Sequence, residues 1–184
     1  MKKIFGLLFL FLSVSVKAQN YLPTDDGSKF HFVIKNLGIA TGGDITGLKG
    51  NIIFDAKNTS KCFFDVTVEV KTIDTDNDKR DGHLKKEEYF DVLKYPVIRL
   101  VSTKIEGGND LKHFIFKGNL TIKNITRSIN FPFTAEAVSG GALFVGSFEI
   151  SRVDFGVGKE SFALSNKVKV TLSTFAKAQS IKKM

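Results

Sequence analysis

A short polar stretch between residues 74 and 88 holds most of the residue types in this chain that could do chemistry. Arg80, Asp81, His83 and Glu88 supply an anion-binding group, an acid and a base within nine residues. No nucleophile elbow, phosphate-binding loop or paired-carboxylate arrangement accompanies them in the sequence. We therefore predict that the protein is not an enzyme. We interpret these side chains as a buried network in which Arg80 pairs with a carboxylate and His83 anchors the start of a helix.

The same stretch opens like a calcium-binding loop, because Asp74, Asp76 and Asp78 alternate as the first ligands of an EF-hand do. An EF-hand needs glycine at its sixth position and a bidentate glutamate at its twelfth. Here those positions hold Lys79 and Lys85, and a lysine at the last ligand position repels the cation. The three histidines of the chain show no ligand spacing either. The sequence therefore predicts no metal site.

A second polar motif, Arg152-x-Asp154, is followed by Phe155 and Gly156. An ion pair between Arg152 and Asp154, in a glycine-assisted turn at a barrel corner, explains the motif without any chemistry. We therefore assign it a structural role.

Phenylalanine is the other unusual feature, with eighteen residues in a chain that has no tryptophan. Many of these rings fall at every second position of segments in which apolar and polar residues alternate, which is typical of half-buried strands. Rings on the inward face of a closed sheet would line a hydrophobic interior, where burying about 20 methylene groups of a lipid is worth roughly 16 kcal/mol before ordering costs. The ligand-binding residues predicted in this way are Phe32, Ile34, Phe54, Phe64, Phe114, Phe116, Phe131, Phe133, Phe144 and Phe148. The alternative is an interior filled by the protein's own side chains.

Eight alternating segments must position these residues, and we predict a β-strand in each. They cover residues 30–35, 48–54, 61–71, 97–104, 114–123, 129–133, 144–150 and 168–172. Short glycine-containing turns between them favour antiparallel neighbours, and a closed barrel over a sandwich. Residues 20–27 are interpreted as a polar lead-in, and residues 40–47, with three glycines, as a flexible turn or a barrel corner. The predicted fold is an all-β, eight-stranded antiparallel barrel.

The alternation stops between Thr72 and Pro96, where good helix formers follow the aspartates. Pro96 disfavours helix at the residue before it and returns the chain to extended structure. We predict one short helix here, inserted between strands 3 and 4, that covers one end of the barrel. As a gate over the interior, this cap would place Arg80, His83 and Phe90 near the head group of a ligand.

The first eighteen residues have the features of a secretory signal peptide. Lys2 and Lys3 form a positive start, residues 4–16 form an apolar core, and cleavage is predicted after Ala18. Thirteen apolar-leaning residues are too few to cross a bilayer, which needs about 20. We expect residues 19–184 to form one exported domain without a transmembrane segment.

Charge and cysteine content argue against a nucleic-acid-binding protein and against a disulfide-bonded one. Removal of the three lysines of the signal peptide lowers the formal net charge from +8 to +5, and most remaining lysines are scattered along the alternating segments. A nucleic-acid-binding protein would gather them on one face, so we expect no nucleic-acid partner. The single cysteine, Cys62, rules out an intramolecular disulfide and is interpreted as a small buried apolar residue.

Motifs spread over almost the whole predicted domain resemble, in order and spacing, the signature of the YceI-like family. They are Thr72-Ile73-Asp74-Thr75, Arg80-Asp81-x-His83-Leu84, Tyr89-Phe90-Asp91, Lys94-Tyr95-Pro96, Ser102, Gly118-Asn119-Leu120-Thr121-Ile122, Thr126-Arg127, Ile150-Ser151-Arg152-x-Asp154-Phe155-Gly156 and Val168-x-Val170. Leu100 departs from the pattern by replacing a phenylalanine, and Asn124-Ile125 by replacing Gly-Val. The resemblance implies an extended lipocalin-like barrel in the periplasm, which binds polyisoprenoids, polyisoprenoid quinones or other long amphiphiles and forms dimers in some members.

The leading hypothesis is an exported, periplasmic protein that carries or sequesters an isoprenoid, an isoprenoid quinone or a similar amphiphilic lipid. It would need no cofactor besides that bound lipid, and a homodimer is compatible with the resemblance. The alternative is a stress-related, metal-dependent or partner-binding factor that uses Arg80, Asp81 and His83 above a solid barrel core.

Overall fold

A computed structural model of the chain describes residues 18–179. Within that range the fold is all-β, with ten strands, one α-helix and three short 3-10 helices. The strands are β1 (Gln19–Pro23), β2 (Lys29–Asn36), β3 (Ile39–Ile45), β4 (Lys49–Phe54), β5 (Phe63–Glu69), β6 (Val97–Gly107), β7 (His113–Ile122), β8 (Ile125–Val138), β9 (Gly141–Ser151) and β10 (Leu164–Ala178). The helix α1 spans Asp78–Leu84, and the 3-10 helices span Thr59–Lys61, Val70–Thr72 and Arg152–Phe155.

Eight of these strands form a closed antiparallel barrel. Neighbours follow the order β1-β4-β5-β6-β7-β8-β9-β10, and β1 closes the ring by pairing with β10, with Tyr21 opposite Ala178. The helix α1 lies between β5 and β6, which are the third and fourth of the predicted strands. The prediction of an eight-stranded lipocalin-like barrel with one short helix is therefore confirmed.

Two strands were not predicted. The polar lead-in contains β1, which joins β4 to β10, and the glycine-containing segment before Gly47 contains β3, which pairs with β2. In β3, the glycines serve close packing within a strand instead of a turn. A Cβ atom added at Gly43 would lie 2.6 Å from side-chain atoms of Phe32 and Thr75. Glycine is the residue that permits such an approach of backbone to side chains.

The two ends of the barrel differ in the strand that pairs with β10. Strand β10 pairs with β2 along most of its length and with β1 only at its last residues. At the β2–β3 end, the backbones of Asp44 and Asp74 exchange two hydrogen bonds of 2.8 and 3.0 Å. These bonds join β3 to the segment that leads into α1, so the helix is fastened to the same end as the β2–β3 hairpin.

The β8–β9 ladder runs only from Phe133 to Val138 on β8. Pro132, which has no N–H to donate, lies directly before the first pair of this ladder. The buried ring of Phe155 packs with Leu120 and Ile122 in a hydrophobic cluster that also includes residues of β8 and β9.

None of the helices within residues 18–179 has the length and apolar character needed to cross a bilayer. The predicted signal peptide, residues 1–18, falls almost wholly outside the described range, so its presence and cleavage stay predictions.

Candidate functional site: a lidded apolar cavity

The barrel contains a cavity of about 300 Å³ at the end where α1 and the β2–β3 hairpin lie. Its volume falls at the lower end of the range of ligand-binding pockets, about 300–1,000 Å³. The side chains that line it from the barrel strands are mainly aliphatic. They are Val66, Thr67, Val68, Ile98, Leu100, Leu120, Ile122, Phe148, Ile150, Leu164, Val168, Val170 and Leu172. Phe30, Phe32 and Ile34 of β2 complete the wall.

The alternation of the strands explains why these residues point inward, and their size explains the open space. On β7, residues 114, 116, 118, 120 and 122 are all buried, and the residues between them are half-buried or exposed. The first two of this inward set are phenylalanines, whereas the last two are Leu120 and Ile122. Aliphatic side chains reach less far across a barrel than aromatic rings do. The interior is therefore filled at one end and hollow at the other.

The filled end is a cluster of phenylalanine rings in contact across the barrel. Phe54 lies 5.0 Å from Phe114 and 5.2 Å from Phe144 between ring centroids, both edge to face. Phe64 lies 5.7 Å from Phe133 and 5.3 Å from Phe144. Each such pair adds about 0.5–1.5 kcal/mol beyond the burial of its area. We call this cluster of Phe54, Phe64, Phe114, Phe116, Phe131, Phe133 and Phe144 the aromatic plug.

The structure divides the ten predicted ligand-binding residues between the two ends. Phe32, Ile34 and Phe148 line the cavity, whereas the other seven form the aromatic plug. This differs from the expectation of one continuous tube lined by phenylalanine, because rings from facing strands meet and fill the interior. Contact of any of the ten with a ligand stays a prediction. The aliphatic lining residues share the same inward phase, which was the signal available in the sequence.

The helix α1 and the loop after it cover the cavity. The side chain of Asn77 caps the helix by accepting a hydrogen bond of 2.9 Å from the N–H of Arg80. Leu84 and Phe90 both line the cavity and pack against the core. We call residues 75–90 the lid.

Thr75 fastens the lid from below. Its N–H donates to the buried carboxylate of Asp81 at 3.1 Å, and its hydroxyl donates to the same carboxylate. Arg80 donates from Nε to the Thr75 hydroxyl at 2.8 Å and from Nη2 to the Thr75 carbonyl. The expected pairing of Arg80 with a carboxylate is therefore wrong, because Thr75 stands between Arg80 and Asp81. Arg80 and Asp81 thus hold the chain before the helix.

His83 lies in the last turn of α1, so it does not anchor the start of the helix. Its Nε2 lies 2.6 Å from Glu88 Oε1, and both side chains are more than half exposed. Arg80 and Asp81 bind Thr75 while His83 binds Glu88, so these groups do not converge on one point as an acid–base centre requires. Within residues 18–179, no three His, Cys, Asp or Glu side chains are grouped as metal ligands.

Arg152 was assigned to an ion pair, and the structure corrects this. Its side chain is 4% exposed and lines the cavity. It donates to the carbonyls of Ser165 (2.9 Å), Val157 (2.9 Å) and Leu164 (3.2 Å), and to Oδ1 of Asn166 (3.1 Å). Among the described residues, no carboxylate oxygen lies within 4 Å of it, and Asp154 is exposed. The backbone after the 3-10 helix supplies better-placed acceptors than Asp154 does.

Cys62 lies outside the cavity and is only half-buried. Its Sγ accepts a hydrogen bond of 3.2 Å from the N–H of Asp55. Burial raises the pKa of the Cys62 thiol above its usual range. The thiol is therefore protonated at neutral pH, which makes it a poor nucleophile.

A family model of the YceI-like domain matches residues 21–176 of the chain, a range that holds every cavity-lining residue. Protein YceI of Salmonella agona is 31% identical over 142 residues, which cover 74% of this chain and 71% of that protein. A UPF0312 protein of Shewanella denitrificans is 27% identical over 176 residues, covering 89% of this chain and 90% of the relative. These matches confirm the resemblance seen in the sequence motifs.

Solved structures share the barrel. BcnA of Burkholderia cenocepacia matches with a TM-score of 0.78 at 22% identity, covering 84% of this chain and 99% of that one. A polyisoprenoid binding domain from Saccharophagus degradans matches with a TM-score of 0.68 at 14% identity, covering 88% and 99% of the two chains. At these identities the likeness shows a common fold.

Proposed function

We propose, from the premise that this chain belongs to the YceI-like family, that it is an exported protein which binds an isoprenoid, an isoprenoid quinone or a similar long amphiphile inside its barrel. The observation that carries the proposal is the apolar cavity of about 300 Å³ beneath the lid. The polyisoprenoid binding domain from Saccharophagus degradans, which has the same fold, supports this ligand class.

The size of the cavity sets how much of the ligand is enclosed. A group the size of a water molecule occupies about 30 Å³, so the cavity of about 300 Å³ holds roughly ten methylene-sized groups. At about 0.8 kcal/mol for each buried group, their burial is worth roughly 8 kcal/mol before ordering costs. A longer chain has to extend past the lid or displace rings of the aromatic plug.

The lid supplies the polar contacts for the ligand head group. Arg80 uses Nε and Nη2 on Thr75, and its Nη1 makes no hydrogen bond to the described part of the chain. Its side chain lines the mouth of the cavity together with His83 and Phe90. In this proposal Arg80 and His83 contact the head group, and Phe90 closes over the first carbons of the tail.

The predicted signal peptide, cleaved after Ala18, would export the protein to the periplasm, where it would act as a soluble carrier and not as an enzyme. A homodimer is compatible with this role. An active centre at Arg80, Asp81 and His83 has less support, because Arg80 and Asp81 both bind Thr75 whereas His83 binds Glu88.

Solvent extraction of the purified protein followed by mass spectrometry tests the proposal directly. We expect a lipid in stoichiometric amount, and uptake of a short-chain isoprenoid quinone by protein freed of it. An empty protein that also fails to take up the quinone would contradict the proposal.

Two neighbouring positions on β10 provide a matched pair of variants. Val170 lines the cavity, whereas Thr171 is exposed on the outer face of the same strand. We expect Val170→Phe to lower lipid affinity at least about tenfold, because the new ring occupies the space of several methylene groups. Thr171→Phe adds a ring of the same size outside and should leave affinity unchanged. Equal effects of the two variants would place the bound lipid elsewhere.

A further inference from the structure

Arg152 carries a buried positive charge that the protein itself does not neutralise. Its side chain is 4% exposed, and its four hydrogen bonds go to neutral oxygen atoms. Removing a cation from water is costly unless an opposite charge compensates it. Within residues 18–179 no carboxylate forms an ion pair with Arg152, so an anion from outside the protein would balance the charge.

The other basic residues of the cavity wall have acidic partners outside it, with His31 at 2.6 Å from Asp44 and His83 at 2.6 Å from Glu88. Among the residues that line the cavity there are two arginines and two histidines, namely Arg80, Arg152, His31 and His83, but no aspartate or glutamate. Arg80 is linked through the Thr75 hydroxyl to the carboxylate of Asp81, which lies behind the wall. Arg152 has no such link. It is therefore the lining residue with the strongest need for a counter-charge.

One donor of the Arg152 guanidinium has no partner among the described residues. A guanidinium has five N–H groups, and four of those of Arg152 are engaged by Ser165, Val157, Leu164 and Asn166. One N–H on Nη1 remains. The four existing bonds hold the guanidinium plane in place, so an arriving anion meets a preorganised donor and gains a charge-assisted hydrogen bond.

We infer that the ligand is an anionic amphiphile, and that Arg152 binds its carboxylate or phosphate head group from the cavity side in addition to the contacts proposed for Arg80 and His83. This inference rests on the proposed function and narrows its ligand class, because a neutral quinone would leave the charge of Arg152 uncompensated. The fatty acids and the phosphorylated isoprenoids share the chemistry required, which is a single apolar tail on a compact anion.

Decanoate and 1-decanol test the inference on the wild-type protein, because both tails match the roughly ten groups that the cavity holds. We expect decanoate to bind at least about tenfold more tightly by calorimetry at pH 7, and acetate, which lacks the tail, to show no binding. Equal affinities for decanoate and decanol would overturn the inference and leave the proposed function intact. Binding of a short-chain isoprenoid quinone without binding of decanoate would do the same. Failure of all three amphiphiles would overturn both.

Variants of Arg152 test whether this residue causes the preference for decanoate over decanol. Arg152→Gln should abolish the preference for decanoate while decanol still binds, and Arg152→Lys should retain part of the preference. Arg127→Gln removes an exposed arginine on β8 that does not line the cavity, and should leave the preference unchanged. If Arg152→Gln fails to fold, the wild-type comparison and Arg152→Lys decide. An unchanged preference in a folded Arg152→Gln protein would overturn the assignment to Arg152.

Discussion

The two halves of the barrel interior are built from the same strands and differ in one property, the size of the inward side chains. The aromatic plug fills one half with rings in edge-to-face contact, and the other half encloses the cavity. The lid covers the half that encloses the cavity, and the aromatic plug occupies the opposite half. Period-two alternation creates an inside in both halves, but only residue size decides whether that inside is a core or a binding site.

Two inward-facing glycines mark the change from one half to the other. On β7 Gly118 separates Phe116 from Leu120, and on β9 Gly146 separates Phe144 from Phe148. A Cβ atom at Gly118 would lie 2.6 Å from the ring of Phe116, and one at Gly146 would lie 3.0 Å from the ring of Phe131. The plug rings therefore lean over these glycines. The border of the cavity therefore depends on these two glycines, which have no side chain, as much as on the rings that pack over them.

Truncation of one phenylalanine in each half should show the largest difference. We expect Phe54→Ala to lower the free energy of unfolding by about 3–5 kcal/mol, because its ring packs against several others at the centre of the plug. Phe148→Ala should cost about 1–2 kcal/mol, because that ring is only half-buried and already faces open space. Urea denaturation of both variants measures the two values.

Lipid binding should respond in the opposite order. Phe148→Ala changes the cavity wall, so its lipid affinity should change, whereas Phe54→Ala should keep the wild-type affinity under conditions where it is folded. Equal losses of stability in Phe54→Ala and Phe148→Ala would mean that the two halves are packed alike, which would contradict the division of the interior into a plug and a cavity.

Enlargement of a side chain, instead of truncation, tests the two halves at two positions of one strand. Ala176 of β10 is fully buried in the plug half, and Val170 of the same strand lines the cavity. Ala176→Leu should destabilise the protein by about 1–3 kcal/mol, because a packed interior has no room for the added carbons. Val170→Phe should change the free energy of unfolding by less than about 1 kcal/mol, because its ring enters existing space. Thermal and urea unfolding of the ligand-free proteins distinguish the two outcomes.

Much of this fold could be predicted because alternation is a local signal. Segments such as residues 63–69 and 113–122 bury every second residue, and each was recognised as a strand. The loss of alternation between Thr72 and Pro96 predicted a helix in this segment, but α1 includes Asp78 and Asp81 and ends at Leu84, and the helix formers after it lie in turns. Strand β1 could not be found in this way, because its five residues show too short a pattern, and β3 was hidden by Gly42 and Gly43.

The position of the cavity depends on information that no single strand holds. Whether a ring such as Phe64 lines a cavity or fills a core depends on which rings the facing strands bring opposite to it, and therefore on register. Arg152 was misjudged for the same reason. Its partners Leu164 and Ser165 lie more than ten residues away along the chain, whereas Asp154 is close in sequence and faces solvent.

The outer face of the wall offers the smallest expected effect and a control for the comparison. Asp65 lies between Phe64 of the plug and Val66 of the cavity wall, and Arg99 donates to both of its carboxylate oxygens at 2.8 and 2.6 Å. This pair spans the border of the two halves from outside. Because it is partly exposed, Asp65→Asn should lower the free energy of unfolding by about 0–1 kcal/mol at pH 7.

The pH dependence of that difference has a defined sign. The hydrogen bonds from Arg99 lower the pKa of the Asp65 carboxyl from its ordinary value of 3.8. A carboxyl with a lowered pKa in the folded protein stabilises it above the unfolded pKa, and this contribution disappears as pH falls through the folded pKa. The gap between wild type and Asp65→Asn should therefore be constant above about pH 5 and close in stronger acid, as urea unfolding across this range would show. Lipid affinity should not change, since the pair lies outside both halves. A variant that lost affinity would mean that the outer wall, and not only the inward side chains, determines the shape of the cavity.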